Sequence, residues 1–237
     1  MKRQTQAVLQ QYDMIESYLT PPQMMLSLGG GYEYVDLGLP SGLKWAKCNV
    51  GAETETDYGD YFQWGSTTPN TNTICNWSTC PFNNGASDYN EEYFNAHKSE
   101  WLNEDLNEDS GEYLTLKPKF DAATQIMGGD WRMPTDAEIS ELLSNTNKQL
   151  IDNYNGSSVN GLKLTSKING NSIFIPKSGY RRDSEFINQG IRYDIWGSSF
   201  RTPWPRNACT LYYFSGEYFP GYYYDRAEAL CVRGVRE

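Results

Sequence analysis

Apolar positions follow a helical period in residues 1–20 and, in parts of the main domain, the alternating period of strands. In residues 1–20 they recur at steps of three and four, which predicts one amphipathic helix ending at Pro21-Pro22. Its apolar face consists of Val8, Tyr12, Ile15 and Leu19. The glycine run 29–31 that follows predicts a flexible joint. We therefore divide the chain into an N-terminal helix with its joint, residues 1–31, and a main domain, residues 32–237.

The main domain mixes strand and helix patterns. Short alternating runs and turns predict strands in residues 32–64 and 162–235, and residues 66–90 read as an irregular loop. A first helix is predicted from Lys117-Pro118 to the stop at Gly128-Gly129. A second opens with the capping box of Thr135 and Glu138. The apolar faces of the two helices are Phe120, Ala123 and Met127, and Ile139, Leu142 and Leu143. The fold class is therefore α+β.

Charge narrows the choice of partners. A net charge of −10 and a pI near 4.7 argue against nucleic acids and anionic membranes. No apolar run approaches the roughly 20 residues of a membrane span, and residues 1–20 lack the apolar core of a secretion signal. Residues 88–112 hold nine acidic residues against one lysine, with a spacing that fits no EF-hand. This run predicts a solvated acidic face.

The C-terminal quarter has the composition of a binding surface. From Arg181 onward the chain carries eight of its ten arginines and none of its ten lysines. Residues 193–224 add seven tyrosines, Trp196 and Trp204. Interfaces favour Tyr, Trp and Arg over Lys. The alternative is a tyrosine-rich β core, but Tyr222, Tyr223 and Tyr224 cannot all face inward on a strand, where neighbours alternate sides.

Several ordered motifs resemble one family. They are EYVDLGLPSGLKWAKCNVGA, DYFQWG, LKPKFDAA, GGDWRMPTDAEISELL, IWGSS and ALCVRGVRE. Together they resemble the Fibrobacter succinogenes major paralogous domain group of gut Bacteroidetes and their phages. The resemblance runs from about Tyr32 to the C-terminus, with a departure at residues 66–112. It implies the C-type-lectin-like fold in the variant of formylglycine-generating enzymes, with two helices, a mixed or antiparallel sheet and long loops.

The resemblance also implies a function and a site. Related proteins are variable proteins of diversity-generating retroelements, in phage tails and on cell surfaces, and their diversified block corresponds to residues 195–236. The resemblance assigns scaffold positions to Trp196, Leu211, Phe214 and Val232, and structural roles to Asp225 and Arg226. It assigns ligand contacts to Arg201, Thr202, Trp204, Arg206, Asn207, Tyr218, Tyr222, Tyr223 and Tyr224.

Catalytic and metal chemistry find little support in the residues. The single histidine, His97, falls in the acidic run, which we read as loop-like. Cys75 and Cys80 lack the second pair that a zinc site needs. Formylglycine-generating enzymes hold copper with two cysteines, and Cys209 and Cys231 lie in the corresponding half of this chain without matching that motif. The motifs of calcium-dependent sugar binding are absent from the C-terminal half of the sequence. We therefore predict no catalytic residue, metal or cofactor.

The cysteines leave two alternatives. Cys75 could pair with Cys80 and Cys209 with Cys231, or all five cysteines are reduced thiols.

The sequence thus predicts a hypervariable receptor-binding protein. Its partner is a protein or glycan receptor on a target cell, and its location is extracellular, as a virion component or on a cell surface. The N-terminal helix is a candidate for homo-oligomer formation. One alternative is a fixed surface adhesin or structural protein of a gut bacterium. A second, less favoured alternative is an enzyme with a copper site like that of formylglycine-generating enzymes.

Overall fold

A computed structural model describes residues 31–104, 113–201, 204–214 and 217–237. Within these ranges the chain is a mixed α+β protein with three α-helices and three open sheets. Residues Tyr34–Glu237 form one compact unit. The helix predicted for residues 1–20 lies outside the described residues.

The elements follow one another in an order dominated by strands. The helices are α1 (Glu91–Trp101), α2 (Ala122–Met127) and α3 (Asp136–Asn145). The strands are β1 (Tyr34–Asp36), β2 (Lys44–Ala46), β3 (Tyr61–Gln63), β4 (Leu102–Asn103), β5 (Tyr113–Leu116), β6 (Thr146–Ile151), β7 (Gly161–Ser166), β8 (Ser172–Pro176), β9 (Tyr180–Arg182), β10 (Glu185–Ile187), β11 (Tyr193–Arg201), β12 (Asn207–Phe214), β13 (Glu217–Asp225), β14 (Ala229–Val232) and β15 (Val235–Arg236).

The largest sheet carries the C-terminal block. Its main path runs β10-β9-β14-β11-β12-β13, with β3 paired to β14 and β5 joining β11 to β4. The β11–β14 pair is parallel and the other pairs are antiparallel, so the sheet is mixed. Two three-stranded sheets, β1-β2-β15 and β6-β7-β8, complete the described fold. Strands occur in both predicted β regions, and β4, β5 and β6 are additional strands between these regions.

The capping box of α3 is confirmed. The Thr135 hydroxyl accepts from the Glu138 amide, and the Glu138 carboxylate accepts from the Thr135 amide at 2.8 Å. Ile139, Leu142 and Leu143 are buried, as predicted. The helix lies against β11, β12 and β13.

The first predicted helix begins later than the sequence indicated. Pro118–Phe120 form a separate 3-10 turn, and α2 begins at Ala122 because the Asp121 carboxylate caps the amide of Thr124 at 2.9 Å. Ala123 and Met127 are buried, whereas Phe120 is half-buried. The helix ends at Gly128, whose φ of 68° is left-handed.

The acidic run contains a helix that the sequence analysis missed, so the prediction of two helices was wrong. Helix α1 places His97 on a helix and not in a loop. Asn90 caps the amide of Tyr93, and Glu91 and Glu92 occupy the first turn. Phe94 and Trp101, seven residues apart, are buried. The high charge of this segment concealed the cap and this spacing.

Arg233 ties the three sheets together. It follows β14 of the large sheet and precedes β15, and its side chain is fully buried. Its guanidinium donates to the carbonyls of Ala46 at 3.0 Å, Lys47 at 2.7 Å and Phe174 at 3.0 Å, and to Asn49 Oδ1 at 2.8 Å. These acceptors belong to β2, the segment after it, and β8. Burial lowers the pKa of Arg233 to about 10, so the group remains protonated at neutral pH.

Replacing Arg233 with Ala is expected to destabilise the fold by at least about 3 kcal/mol, because buried carbonyls that lose their donor cost about 1–3 kcal/mol each. Chemical denaturation measures this loss. The matched control is Arg236→Ala in β15, where a partly exposed ion pair with Asp130 is worth about 1 kcal/mol or less. Equal losses in the two variants contradict the role assigned to Arg233.

Candidate functional site

The candidate recognition block is formed by β11, β12, β13 and the turn between the first two strands. The amide of Asn207 donates to the Trp204 carbonyl at 2.9 Å, which closes the turn Trp204–Asn207. Strand β13 pairs with β12 from Asn207↔Asp225 to Phe214↔Glu217 and ends the described sheet path. It contains Pro220, and the pairing shifts register beside it. A proline and an irregular register blunt an edge strand against pairing with another sheet.

The structure places the predicted contact residues unequally. Trp204 is 52% exposed in the turn. Arg206 is exposed, and Asn207 and Tyr224 are half-buried. For the others in the described ranges only the strand backbone is described, and these are Arg201 in β11 and Tyr218, Tyr222 and Tyr223 in β13. Thr202 lies outside the described residues.

Arg206 is held in place by two carboxylates. Its Nε donates to Asp225 Oδ2 at 3.1 Å, and its Nη1 donates to Asp88 Oδ1 at 3.1 Å. The guanidinium also lies 5.0 Å from the centre of the Trp77 ring. Asp88 and Trp77 belong to the segment 66–104, which the sequence analysis did not connect with the site.

Arg226 donates hydrogen bonds to the backbone of the turn Trp204–Asn207. It is fully buried, and its guanidinium lies 4.2 Å from the Phe94 ring centre and 5.7 Å from those of Trp64 and Trp77. Its Nε donates to the Pro205 carbonyl at 2.9 Å, and its amide donates to the Arg206 carbonyl at 3.1 Å. Burial lowers the pKa of Arg226, and the surrounding aromatic faces stabilise its charge. These contacts give Arg226 a structural role.

A second arginine-centred cluster lies under Tyr224. The Arg192 guanidinium is 5.0 Å from the ring centre of Tyr180, 4.6 Å from that of Tyr212 and 5.1 Å from that of Tyr224. Arg192 and the fully buried Asp194 form an ion pair at 2.7 Å. Sequence reasoning did not single out Tyr180 or Arg192. The only sequence signal for this cluster was the composition rich in Arg and Tyr. The register of the strands brings the arginine and the tyrosines of the cluster together.

Two buried carboxyl groups in this region have raised pKa values. Burial raises the pKa of Glu228 from 4.5 to about 7, although Arg182 Nε donates to its Oε1 at 2.6 Å. Burial also raises the pKa of Asp194 to about 6, despite the ion pair with Arg192. Both carboxyls therefore titrate in the folded protein above the pH range of exposed carboxyls.

The residues that the resemblance assigned to the scaffold occupy the core where their side chains are described. Trp196, Leu211 and Val232 are buried, and Trp196 Nε1 donates to the Phe62 carbonyl at 2.7 Å. For Phe214 only the strand backbone is described.

The cysteines are all free thiols. Cys209 in β12 and Cys231 in β14 flank β11, so a strand separates them. Their backbones are therefore roughly 9–10 Å apart, beyond the ~7 Å between Cα atoms that a disulfide spans. Burial raises the pKa of both thiols, that of Cys231 to about 12, which disfavours the thiolate that binds metals.

Polar groups that border one cleft are already paired. A cleft of about 170 Å³ is bordered by Asp121, Arg132 and Ser198. The two Asp121 oxygens accept from the amides of Thr124 and Met133, and Arg132 pairs with Glu138. Across the described ranges, no three His, Cys, Asp or Glu side chains converge as metal ligands.

Comparison with family models, with curated proteins and with solved structures finds no match for this chain. Among the helices of the described ranges, none combines the length and the apolar character needed to cross a bilayer.

Replacing Trp204 with Ala is expected to change the free energy of unfolding by less than about 0.5 kcal/mol, because the exposed ring contributes little to the core. Tyr224→Ala is expected to cost about 1–3 kcal/mol, because that ring packs on Tyr180 and Arg192. Urea denaturation of both variants measures the difference. A similar loss of unfolding free energy in the two variants contradicts the assignment of Trp204 to the surface and of Tyr224 to the supporting layer.

The pKa of Glu228 predicts a pH dependence of stability. Because the folded-state pKa is raised, the stabilising contribution is complete below pH 4.5 and is lost as the pH rises through about 7. The difference in unfolding free energy between wild type and Glu228→Gln is expected to shift by up to about 3 kcal/mol over this window, in the sense that wild type weakens as the pH rises. Denaturation at pH 4.5, 6 and 8 measures the shift, and a pH-independent difference contradicts it.

Proposed function

We propose that this chain is a hypervariable ligand-binding protein with a C-type-lectin-like fold, related to the Fibrobacter succinogenes major paralogous domain group. The observation that carries the proposal is the turn Trp204–Asn207, which presents a tryptophan that is 52% exposed on a backbone to which the fully buried Arg226 donates through its Nε. The turn lies inside the block that the resemblance marks as diversified. The mixed α+β architecture supports the lectin-like assignment.

Binding is non-covalent in this proposal. Tyr and Trp rings supply buried contact area, and Arg supplies directed hydrogen bonds. Because Trp204 is 52% exposed, its replacement is expected to disturb the core less than replacement of the fully buried Arg226 or Trp196. A surface of this kind can be diversified while the fold persists.

The partner in this proposal is a receptor on a target cell. The protein acts outside the cell, as a component of a phage tail or on a bacterial surface. Several copies on one particle raise weak single-site binding through avidity. Residues 1–31 are proposed to hold the copies together or to attach them to a larger structure.

Sequencing this gene and its flanks across a natural population tests the proposal. Variation is expected to cluster in the codons of residues 200–226 and to include Trp204, while Trp196 and Arg226 stay constant because they are buried. A nearby near-repeat of the block is expected to differ at adenines. An invariant block without such a repeat contradicts diversification and favours the fixed adhesin or structural protein.

A further inference from the structure

Trp77 contacts the turn Trp204–Asn207 from a distant part of the chain. Its ring is 7% exposed, and the guanidinium groups of Arg206 and Arg226 lie 5.0 Å and 5.7 Å from its centre. Arg206 belongs to the turn, and Arg226 donates from its Nε to the Pro205 carbonyl in the turn at 2.9 Å. The two cations that border the turn therefore share one aromatic ring.

The buried charge of Arg226 depends on aromatic faces. Among the described residues its side chain donates to the Pro205 carbonyl, and no carboxylate accepts a hydrogen bond from it. The ring centres of Phe94, Tyr89 and Trp77 lie 4.2, 5.6 and 5.7 Å from its guanidinium. A desolvated cation gains more from an aromatic face than an exposed cation does. Loss of the Trp77 ring therefore weakens the hold on Arg226 and, through it, on the Pro205 carbonyl.

The loop that carries Trp77 is fixed by one buried side chain. Asn83 is fully buried, and its Nδ2 donates to the carbonyls of Trp77, Ala86 and Asp88 at 2.8, 3.0 and 3.1 Å. The ring of Tyr89 packs against the Trp77 ring, with 5.2 Å between their centres. Because its backbone and its ring are both held, Trp77 offers the two arginines a fixed surface.

Ion pairs contribute less to this link between loop and turn. Arg206 donates to Asp88 and to Asp225, both at 3.1 Å. The side chains of Arg206 and Asp88 are 47% and 79% exposed, however, and exposed ion pairs contribute little. The buried ring of Trp77 is therefore the stronger of the two connections.

We infer that Trp77 is a positioning residue for the turn Trp204–Asn207 and acts through its contacts with Arg206 and Arg226. The inference rests on the proposed function in taking this turn as part of the binding surface. It extends the supporting scaffold to the segment 66–104, outside the block that the resemblance marks as diversified. An indole that is 7% exposed offers a partner little contact area, so Trp77 affects binding through the turn.

Hydrogen–deuterium exchange on the full chain tests the positioning role without any ligand. The probes are the amides of Asn207 and Arg226, which donate to the carbonyls of Trp204 and Arg206. Both amides are expected to exchange at least about 5-fold faster in Trp77→Leu than in Trp77→Phe. The reason is that Phe retains a ring for the two cations, whereas Leu removes it.

Trp101 supplies the matched control. It is also 7% exposed and lies in the same segment, but its ring packs on Phe82 and His97 and, among the described residues, on neither arginine. Trp101→Leu and Trp101→Phe are expected to exchange equally at the two amides of the turn. Equal exchange in Trp77→Leu and Trp77→Phe, or the same difference in the Trp101 pair, overturns the inference.

Melting curves show whether each variant is folded. If Trp77→Leu does not fold, the comparison passes to Trp77→Phe, whose smaller ring is expected to speed exchange at the turn about 2-fold relative to Trp101→Phe. Equal rates in these two Phe variants overturn the positioning role.

A binding experiment tests the consequence for recognition. Its probes are members of a random peptide library and of a glycan array that bind wild type and are lost with Trp204→Ala. Their affinity is expected to fall at least about 5-fold in Trp77→Leu and to recover in Trp77→Phe. Unchanged affinity in Trp77→Leu overturns the inference. If neither library contains a ligand that requires Trp204, the proposed function loses its contact residue, while the exchange comparison still decides the role of Trp77.

Discussion

The buried guanidinium of Arg233 is the interaction on which the rest of the structure depends. A charged group with five donors is costly to bury unless its bonds are satisfied, and here backbone carbonyls and Asn49 accept from it. Because these acceptors lie in and beside strands of different sheets, the three sheets share one polar centre. The chain reaches this point directly after β14, the strand that pairs with β11 at the middle of the large sheet.

Arg226 is a second buried arginine. It precedes β14, whereas Arg233 follows this strand. It too is fully buried, but aromatic faces and not carbonyls surround most of its charge. Its Nε and its backbone amide donate to the carbonyls of Pro205 and Arg206 in the turn Trp204–Asn207. Two buried arginines therefore connect one short strand to the sheet assembly on one side and to the candidate binding surface on the other. This connection gives the turn a fixed base, while Trp204 in the turn is 52% exposed.

The proposed recognition role and the supporting roles thus fall on different residues within one block of sequence. Trp204 projects from the turn, whereas Tyr224 packs over Arg192 and belongs partly to the support. Arg206 lies between these extremes, since it is exposed yet oriented by Asp88 and Asp225. A preorganised arginine loses less freedom when it binds, which improves affinity without added contacts.

The sequence by itself determined the features that depend on neighbouring residues. The capping box of α3 and the glycine stop of α2 are local, so spacing alone predicts them. The composition also predicted a binding surface in the C-terminal block, and this stays a prediction. Helix α1 was missed because its acidic residues concealed a local cap and two buried aromatics. Only the tertiary structure decided which residues of that surface are exposed, which are supports, and that Asp88 and Trp77 belong to it. Those roles depend on contacts between segments more than 100 residues apart, which strand register and burial create and no local pattern encodes.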